Sequence, residues 1–451
     1  MTKTAHFVFS LLITFLMIFI AQNVIAESGW QEDQKKLFSQ LPVKPGDVID
    51  KTNCETVKDL LPEEFFNVVK NGDWVLNIGE FGFDYDWDED YYKLSAENEG
   101  RYVLGDKKEI LDAKTGQVPM FVEGMPFPTI DFETDPDAAV KFMHNRDVNN
   151  FRIGSWWCVE YNKYGNLTFV GRGGYERGVM FSNQISNFWN RPRGEVENPR
   201  NLKWTNFLVS QEPFDLKGTA TLYFRHLDGR PDSMYVYVPA IRRVKRLSGA
   251  NRSDPQMGSD QTADDWDGFG GHIESMKWTY MGKKIILKPI NKGDAQAPRQ
   301  LTQEKNGGWQ FQTTDAFTLG FQEEGWTGAP WAYVNHVWIP REMVILKATP
   351  LDPFYAYGDM ILYFDAVSTT CAFNLKYSKA GEFWKYLVMA AAPGTWKGGK
   401  KLLTINGPSC VVDVKTDHAS PTQLDEINTI LDSPLVHSKN HTPINLRTAT
   451  K

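Results

Sequence analysis

The sequence lacks the short motifs of the common hydrolase, metalloprotease and nucleotide-binding families. It has no GxSxG nucleophile elbow, no HExxH helix and no P-loop. Positive charge is also scarce, because 49 Lys and Arg face 56 Asp and Glu and leave a net charge of −7. A chain of this charge has no general attraction for nucleic acid or anionic lipid. We therefore expect no catalytic residue, no metal, no cofactor and no nucleic-acid partner.

The first 26 residues have the composition of a secretory signal peptide. Lys3 and His6 precede an almost purely apolar stretch, and Ala26 is the small residue before the expected cut. The apolar run of about 15 residues is shorter than the roughly 20 of a spanning helix, so an uncleaved anchor is the weaker alternative. Glu27 stands where a lipoprotein would have cysteine. No later stretch approaches a membrane span, so the sequence predicts an exported, soluble chain.

Cysteine is rare, with four residues at positions 54, 158, 371 and 410. None has a CxxC or zinc spacing, and an even number in an exported chain is compatible with disulfides. The shorter separations favour pairing Cys371 with Cys410 and Cys54 with Cys158. Free buried thiols are the alternative.

Short strands separated by turns dominate the sequence after Trp74. Asp228-Gly229 separates residues 220–226 from the alternating run 234–238, which is a strong hairpin signal. Gly282-Lys283 predicts a second hairpin, and residues 332–339, 343–348 and 360–366 continue the series. Intervening helices of about 10–15 residues are missing, so the pattern predicts an antiparallel sheet. A helix is predicted to open at Pro62 and to end at Asn71-Gly72.

Aromatic residues alternate with small and acidic ones over residues 81–87. The period of two predicts a half-buried strand with a solvated acidic face. The acids Asp84, Asp86 and Asp88 beside these aromatics keep a carbohydrate-active enzyme or another exported hydrolase open as an alternative. Such an enzyme needs two carboxylates about 5–10 Å apart across a cleft.

Basic residues are concentrated in a strand-like run at residues 241–247. Period 2 divides its cations between the two faces of the strand, so at least one must be paired or sit at a cavity mouth. We expect Asp264 or Asp265 to supply the partner. The aspartates of residues 254–267 do not fit an EF-hand, because the first ligand position falls on Ala263, although another calcium site stays open. The cations are Arg242, Arg243, Lys245 and Arg246.

Three blocks of residues occur in the order typical of one bacterial family. The first is Gly124-Met-Pro126-Phe127-Pro128 with Asp135-Pro136 and Lys141; the second is Tyr235-Val-Tyr-Val-Pro239-Ala-Ile-Arg242-Arg243-Val-Lys-Arg246 with Asp264-Asp265, Phe269-Gly270 and Trp278; the third is Tyr357-Gly358, Asp365 and residues 381–384. Over about residues 42–417 the chain resembles domain-of-unknown-function family 1329. Members are exported proteins of Gram-negative bacteria, often labelled outer-membrane lipoprotein-sorting proteins.

This family is similar to the LolA and LolB lipoprotein carriers. The resemblance implies a mainly β fold, in which a strongly curved antiparallel sheet, an incomplete barrel, wraps over a few helices that close an apolar cavity. It also implies a periplasmic location and partners such as an inner-membrane exporter and an outer-membrane protein. The expected parts are a signal peptide (1–26), an N-terminal part with helices and first strands (27–200), the curved LolA-like sheet (201–417) and a polar C-terminal tail (418–451).

The 15 Trp of the chain exceed what one curved sheet with few helices can bury. Lining a ligand cavity would resolve that excess, and we expect at least two of four strand aromatics to do so. Packing of all of them in a closed core is the alternative. The four residues are Trp204, Trp278, Tyr333 and Trp338.

These observations favour a non-enzymatic periplasmic carrier or chaperone for a hydrophobic ligand. The ligand would be a lipid, an acyl chain or a lipoprotein, held in the apolar cavity during envelope transport. A non-ligand-binding accessory subunit of an envelope exporter is the second candidate, and the exported hydrolase is the third.

Overall fold

A computed structural model describes most of the chain after residue 28. The described residues are 29–120, 122–150, 159–171, 174–186, 200–212, 214–256, 259–303, 305, 309–311, 318–395, 399–424, 429–431 and 441–448. The expected signal peptide, Cys158 and residues 432–440 lie outside them. The chain divides into two compact units, Met1–Lys44 and Pro45–Lys451. In the first unit, helix α1 (Gly29–Ser39) has Glu32 in its first turn and Lys36 in its last, where each charge suits the helix dipole.

The second unit carries five described helices around the sheet. Helix α2 confirms the predicted helix, with Pro62 before its first turn and a buried face of Phe65, Phe66, Val68 and Val69. The helices are α2 (Glu63–Lys70), α3 (Glu89–Ala96), α4 (Ala138–Asn150), α5 (Lys292–Gln296) and α6 (Pro443–Thr448).

The fold is mainly β, as predicted. All the described strands except β3 and β4 belong to one 18-stranded sheet. The strands are β1 (Val48–Ile49), β2 (Leu76–Ile78), β3 (Tyr102–Leu104), β4 (Ile110–Asp112), β5 (Val159–Gly171), β6 (Gly174–Ser186), β7 (Leu202–Glu212), β8 (Ala220–His226), β9 (Ser233–Val238), β10 (Arg243–Leu247), β11 (Met276–Asn291), β12 (Arg299–Gln303), β13 (Trp309–Phe311), β14 (His336–Pro350), β15 (Met360–Asp365), β16 (Cys371–Tyr377), β17 (Phe383–Thr395), β18 (Lys401–Asp413), β19 (His418–Leu424) and β20 (Thr429–Leu431).

The main body of the sheet is an antiparallel series. It runs in the order β10-β9-β8-β7-β6-β5-β19-β18-β17-β16-β15-β14-β11. A parallel sheet with crossover helices is therefore excluded for this series. Strands β5, β6 and β7 pair in one sheet across the expected boundary at residue 200, so residues 45–200 and 201–417 belong to a single unit.

Strands β5 and β17 each use one edge twice. The edge of β5 pairs first with β20 and then with β19, and the edge of β17 pairs first with β16 and then with β12. Because β12 pairs with β13 and β13 with β20, the pairings form a closed circuit. The circuit contains β5, β19, β18, β17, β12, β13 and β20.

Three sequence predictions are corrected by the structure. The expected hairpin at Gly282-Lys283 is the middle of strand β11, which continues along β14 through a register shift between Tyr280 and Gly282. Residues 81–88 form no ladder, although Phe81, Tyr85 and Trp87 are buried as the alternation indicated. The expected tail contains two strands of the sheet, β19 and β20, and helix α6.

Aromatic side chains fill the face of the sheet that α2 covers. Phe65 of α2 packs at 5.5 Å from Trp338, 4.9 Å from Phe373 and 5.8 Å from Tyr386 between ring centroids. Trp74 lies 5.5 Å from Phe65 and donates a 3.0 Å hydrogen bond to the Tyr386 hydroxyl. This cluster anchors strands β14, β16 and β17 to the N-terminal part of the unit.

Candidate functional site

The segment that joins β10 to β11 covers the other face of the sheet. We call residues 248–275 the central segment; it is described except for residues 257 and 258. It folds as 3₁₀ turns, and the turn Ala263–Gly268 begins at a capping box in which Thr262 and Asp265 bond to each other's backbone. The site is built from charged contacts between this segment and the strands.

One end of the central segment is tied to the β8–β9 hairpin. Arg225 of β8 donates hydrogen bonds to the Asp232 carboxylate from Nε at 3.1 Å and from Nη2 at 3.0 Å. Arg252 of the segment donates to the same carboxylate. Burial alone would raise the pKa of Asp232, but the two guanidinium groups and His272 hold it well below the usual range. The carboxylate is therefore charged and fully paired.

The middle of the segment is tied through Asp264. Its carboxylate accepts a 2.6 Å hydrogen bond from Arg252 Nε and a 2.7 Å bond from the Tyr355 hydroxyl. Arg252 also donates to the Gly270 carbonyl at 2.8 Å. One arginine thus joins both ends of the segment to the hairpin.

The part of the segment from Asp260 to Asp265 reaches the far strands of the sheet, and we call this part its far end. Asp265 forms an ion pair with Lys376 of β16, with both side chains at most 2% exposed. Asp260 contacts Lys385 of β17 at 3.4 Å and His418 of β19 at 2.6 Å. Each of these lysines lies in an apolar strand, where a charge must find a partner.

These contacts show that the sheet is strongly curled. Strands β8 and β16 are separated by seven strand spacings, which is about 34 Å across a flat sheet. Yet the central segment reaches both strands within a few residues. The Gly271 carbonyl accepts a 2.9 Å hydrogen bond from Arg225 of β8. The Asp264 carboxylate packs against Gly271, and the adjacent Asp265 pairs with Lys376 of β16. The sheet therefore bends around the central segment, and this face is its concave face.

The floor of the concave face is apolar beneath the far end of the segment. Leu387, Met389 and Val411 form one buried cluster there, which we call the apolar floor. Side chains alternate between the two faces along a strand, so these three lie on the same face as Lys385 and Ser409. Both Lys385 and Ser409 contact the central segment. The segment is thus held by charges above an apolar surface.

Histidine 272 is held between two carboxylates. Its Nε2 faces Asp232 and its Nδ1 lies 3.2 Å from Glu274. Burial favours the neutral ring, but the two carboxylates raise the pKa of His272 overall. Because both nitrogens donate protons to carboxylates, the ring has no free lone pair and is unsuited to general-base catalysis.

A small cleft lies beside this histidine. It has a volume of about 20 Å³ and is lined by polar groups such as His144 and Glu274 and by apolar ones such as Ile110 and Leu227. That volume is room for about one water molecule and not for an acyl chain.

The four predicted cavity aromatics fall into three places. Tyr333 and Trp338 come together around Trp74, at 5.0 and 5.8 Å between ring centroids, and are at most 1% exposed. Trp278 packs against Phe269 in a second cluster. The Arg225 guanidinium carbon lies 4.7 Å from the centroid of the Trp204 ring, which places Trp204 beside the charged site. A cavity-lining role for any of them stays a prediction.

The predicted partner of the basic strand is wrong. Asp264 pairs with Arg252 and Asp265 with Lys376, and neither carboxylate contacts β10. The reason is local: β10 is exposed, whereas the aspartates are buried and take buried cations. Arg242 is outside the strand, in the left-handed region with φ 49° at the end of a turn.

The predicted disulfide between Cys371 and Cys410 is also wrong. Both are free buried thiols, as is Cys54. Strand β17 lies between their strands, so two strand spacings of about 9.5 Å separate them, beyond the reach of a disulfide. Burial raises the pKa of the Cys371 thiol to about 12.

The structure describes no metal centre in the residues it covers. No group of three His, Cys, Asp or Glu among them is placed to hold a metal ion.

The candidate enzyme acids Asp84 and Asp88 both contact Lys401, and Asp86 accepts a hydrogen bond from the Tyr92 hydroxyl. No helix in the described ranges is long and apolar enough to cross a membrane.

Sequence reasoning missed Arg225, Asp232, Arg252 and the two strand lysines. Lys376 and Lys385 carried a usable signal, because each interrupts a run of apolar and aromatic residues in a strand. Charges at such positions are paired when buried. Arg225 carried the same signal in the run 220–226, whereas Arg252 carried none, since a basic residue in a loop is usually solvated.

Comparison with known proteins identifies the family. Residues 48–447 match the family described as a protein of unknown function, DUF1329. The fold is similar to solved structures of a putative outer membrane lipoprotein-sorting protein domain from Vibrio parahaemolyticus (13% identity, 69% of this chain and 100% of that chain, TM-score 0.46), a DUF1329 family protein from Desulfovibrio piger (14%, 72% and 100%, 0.44) and a LolA superfamily protein from Nitrosomonas europaea (11%, 67% and 97%, 0.37). No curated protein has a matching sequence. The family match covers most of the chain, and the chain therefore belongs to the DUF1329 family.

Proposed function

We propose that this chain is a non-enzymatic periplasmic carrier or chaperone that holds a hydrophobic ligand on its concave face. The ligand, a lipid, an acyl chain or a lipoprotein, takes the place of part of the central segment over the apolar floor. The observation that carries the proposal is this pairing of a charge-held segment with an apolar surface beneath it.

The apolar floor supplies the affinity. Burial of an acyl chain stabilises a complex by about 0.8 kcal/mol for each methylene, so no covalent step is needed to hold it. Leu387, Met389 and Val411 lie on neighbouring strands and extend as one surface.

The charges of the central segment make its displacement inexpensive. A buried ion pair contributes little net stability, because desolvation of the two charges offsets their attraction. When the segment lifts, Asp260, Asp265 and their lysines regain hydration, while the floor receives the ligand. Phe269 and Ile273 of the segment pack in an apolar cluster that opening would expose to water, so only the part around Asp260 and Asp265 lifts.

The arrangement of the titratable groups also supports binding over catalysis. His272 has no free nitrogen, and the candidate acids Asp84 and Asp88 share one lysine on the surface. Partners such as an inner-membrane exporter and an outer-membrane protein would supply and receive the ligand.

Two matched variants test the proposal. Val411→Thr places a hydroxyl on the apolar floor, whereas Val412→Thr places the same group on the opposite face of the same strand. Both side chains are buried, so both variants lose stability. We expect the natively purified chain to bind a fluorescent fatty acid saturably and independently of salt, and Val411→Thr alone to weaken that binding about five-fold.

Native mass spectrometry of the same preparation identifies any co-purifying lipid. Equal weakening by both variants would place the ligand elsewhere. If the folded chain binds no apolar probe, the carrier function is wrong and the accessory-subunit function replaces it.

A further inference from the structure

Strand β10 is an exposed, basic edge of the sheet. Among the described strands it pairs with β9 alone, and none of them lies on its outer edge. Its three cations and the adjacent Arg242 are exposed, and no described carboxylate forms an ion pair with them. They concentrate positive charge at one place on a chain whose net charge is −7. The cations are Arg242, Arg243, Lys245 and Arg246.

Two exposed apolar side chains lie at the same end of the sheet. Phe214, in the β7–β8 turn, is 87% exposed, and Ile241, in the β9–β10 turn, is 46% exposed. The register places these turns together, since Ala220 of β8 pairs with Tyr237 of β9 close to both. Two strand spacings separate the turns, which is about 10 Å.

We infer that this end of the sheet docks on an anionic lipid surface. Phe214 and Ile241 enter the headgroup region, and the cations of β10 lie against lipid phosphates. The negative charge of the remainder of the chain is repelled by such a surface, so the chain approaches it in this orientation only. The inference concerns a surface separate from the concave face and goes beyond the proposed function.

The same features oppose the other occupants of an open edge. Cations along an edge strand repel a second copy of that edge. Arg242, with its left-handed φ of 49°, ends the extended backbone and shortens the ladder that a peptide strand would use. Binding to a lipid surface requires no backbone hydrogen bonds, and such a surface interacts with the cations and with the exposed apolar side chains at the same time.

Vesicle sedimentation of the chain beginning at Glu27 tests the inference. The vesicles are phosphatidylcholine alone or phosphatidylcholine with phosphatidylglycerol. We expect binding to the second kind only, falling as salt rises. Arg243→Gln with Lys245→Gln should lower the partition coefficient about 25-fold, at about five-fold for each cation. Phe214→Ser should lower it about ten-fold.

Two control variants make the test specific. Lys114→Gln removes an exposed cation, and Met281→Ser removes an apolar side chain that is 51% exposed and lies in β11, at the other end of the antiparallel series from β10. Neither should change the partition coefficient, and all variants should melt like the parent chain. Absence of binding to the anionic vesicles, or equal losses in the control variants, would overturn the inference.

Discussion

The ion pair between Asp265 and Lys376 allows a quantitative test of how the central segment is held. Asp265→Asn leaves the ammonium group of Lys376 buried without a counter-charge, and Lys376→Met leaves the carboxylate buried. The side chains are 2% and 1% exposed, respectively. Each single variant should therefore lose about 3–5 kcal/mol of unfolding free energy.

The double variant separates charge from packing. In the parent chain the backbone N–H and the hydroxyl of Thr262 donate hydrogen bonds of 2.8 and 3.0 Å to the Asp265 carboxylate. Asn at position 265 retains an oxygen that can accept both bonds. Met at position 376 fills the volume of the lysine stem. We expect Asp265→Asn with Lys376→Met to recover all but about 1–2 kcal/mol, since no buried charge remains.

The pH dependence identifies which charge is stranded. Burial lowers the pKa of Lys376 below 10.5, against the effect of Asp265, so removal of Asp265 lowers it further. In the window between that lowered pKa and 10.5 the unfolded chain binds more protons than the folded chain, so stability rises with pH. The deficit of Asp265→Asn should shrink from about pH 7 to about pH 9, whereas that of Lys376→Met should not.

Urea unfolding at the two pH values measures these free energies. The matched control is Asp294→Asn, which breaks the buried pair with Arg299 at 2.6 Å outside the central segment. Asp294→Asn should lose a similar unfolding free energy, but this loss should not shrink at high pH. Asp265→Asn should also bind the fatty acid faster, because the segment is held less tightly, and Asp294→Asn should not. If the double variant is no more stable than the singles, the charges are not what holds the segment.

Three further predictions concern other buried residues. Cys371 and Cys410 should resist a thiol reagent in the folded chain and both react in urea, because burial raises the pKa of Cys371 to about 12; non-reducing peptide mapping that recovers them joined would contradict this. The imidazolium of His272 should persist above pH 6.5 by NMR, so its contribution to stability is present below 6.5 and is lost as pH rises through the raised pKa; Asp232→Asn should lower that pKa. Gly268→Ala should destabilise by at least about 2 kcal/mol in urea, because its Cβ would lie 2.2 Å from the Cβ of Cys371 and φ is +79°; a smaller loss would show that the turn can shift.

Local signals in the sequence were sufficient for the hairpins but not for the strand lengths. Asp228-Gly229 marks a turn wherever it occurs between alternating runs, and strands β8 and β9 lie where predicted. Gly282-Lys283 also indicates a turn, but β14 pairs with the residues on both sides of Gly282. The chain therefore continues as one strand with a bulge and does not form a hairpin. The choice between turn and bulge depends on a partner strand about 60 residues away, which a local pattern does not contain.

The candidate site depended still more on distant contacts. The acids Asp264 and Asp265 stood out in the sequence, but their cations come from residues 252 and 376. The basic run 242–246 was the expected partner because it concentrates four cations in five residues, but it is exposed. Only the curl of the sheet brings Lys376 within reach, and curl is a property of the whole series of strands.

The closed circuit of strand pairings sets an order for assembly. Its last member, β20, lies at residues 429–431, and its partner β5 begins at residue 159. A chain that emerges N-terminus first holds β5 with that edge open for about 260 residues of further synthesis or export. Closure of the sheet therefore reports that the C-terminal end has arrived, and a chain truncated before β20 keeps its circuit open.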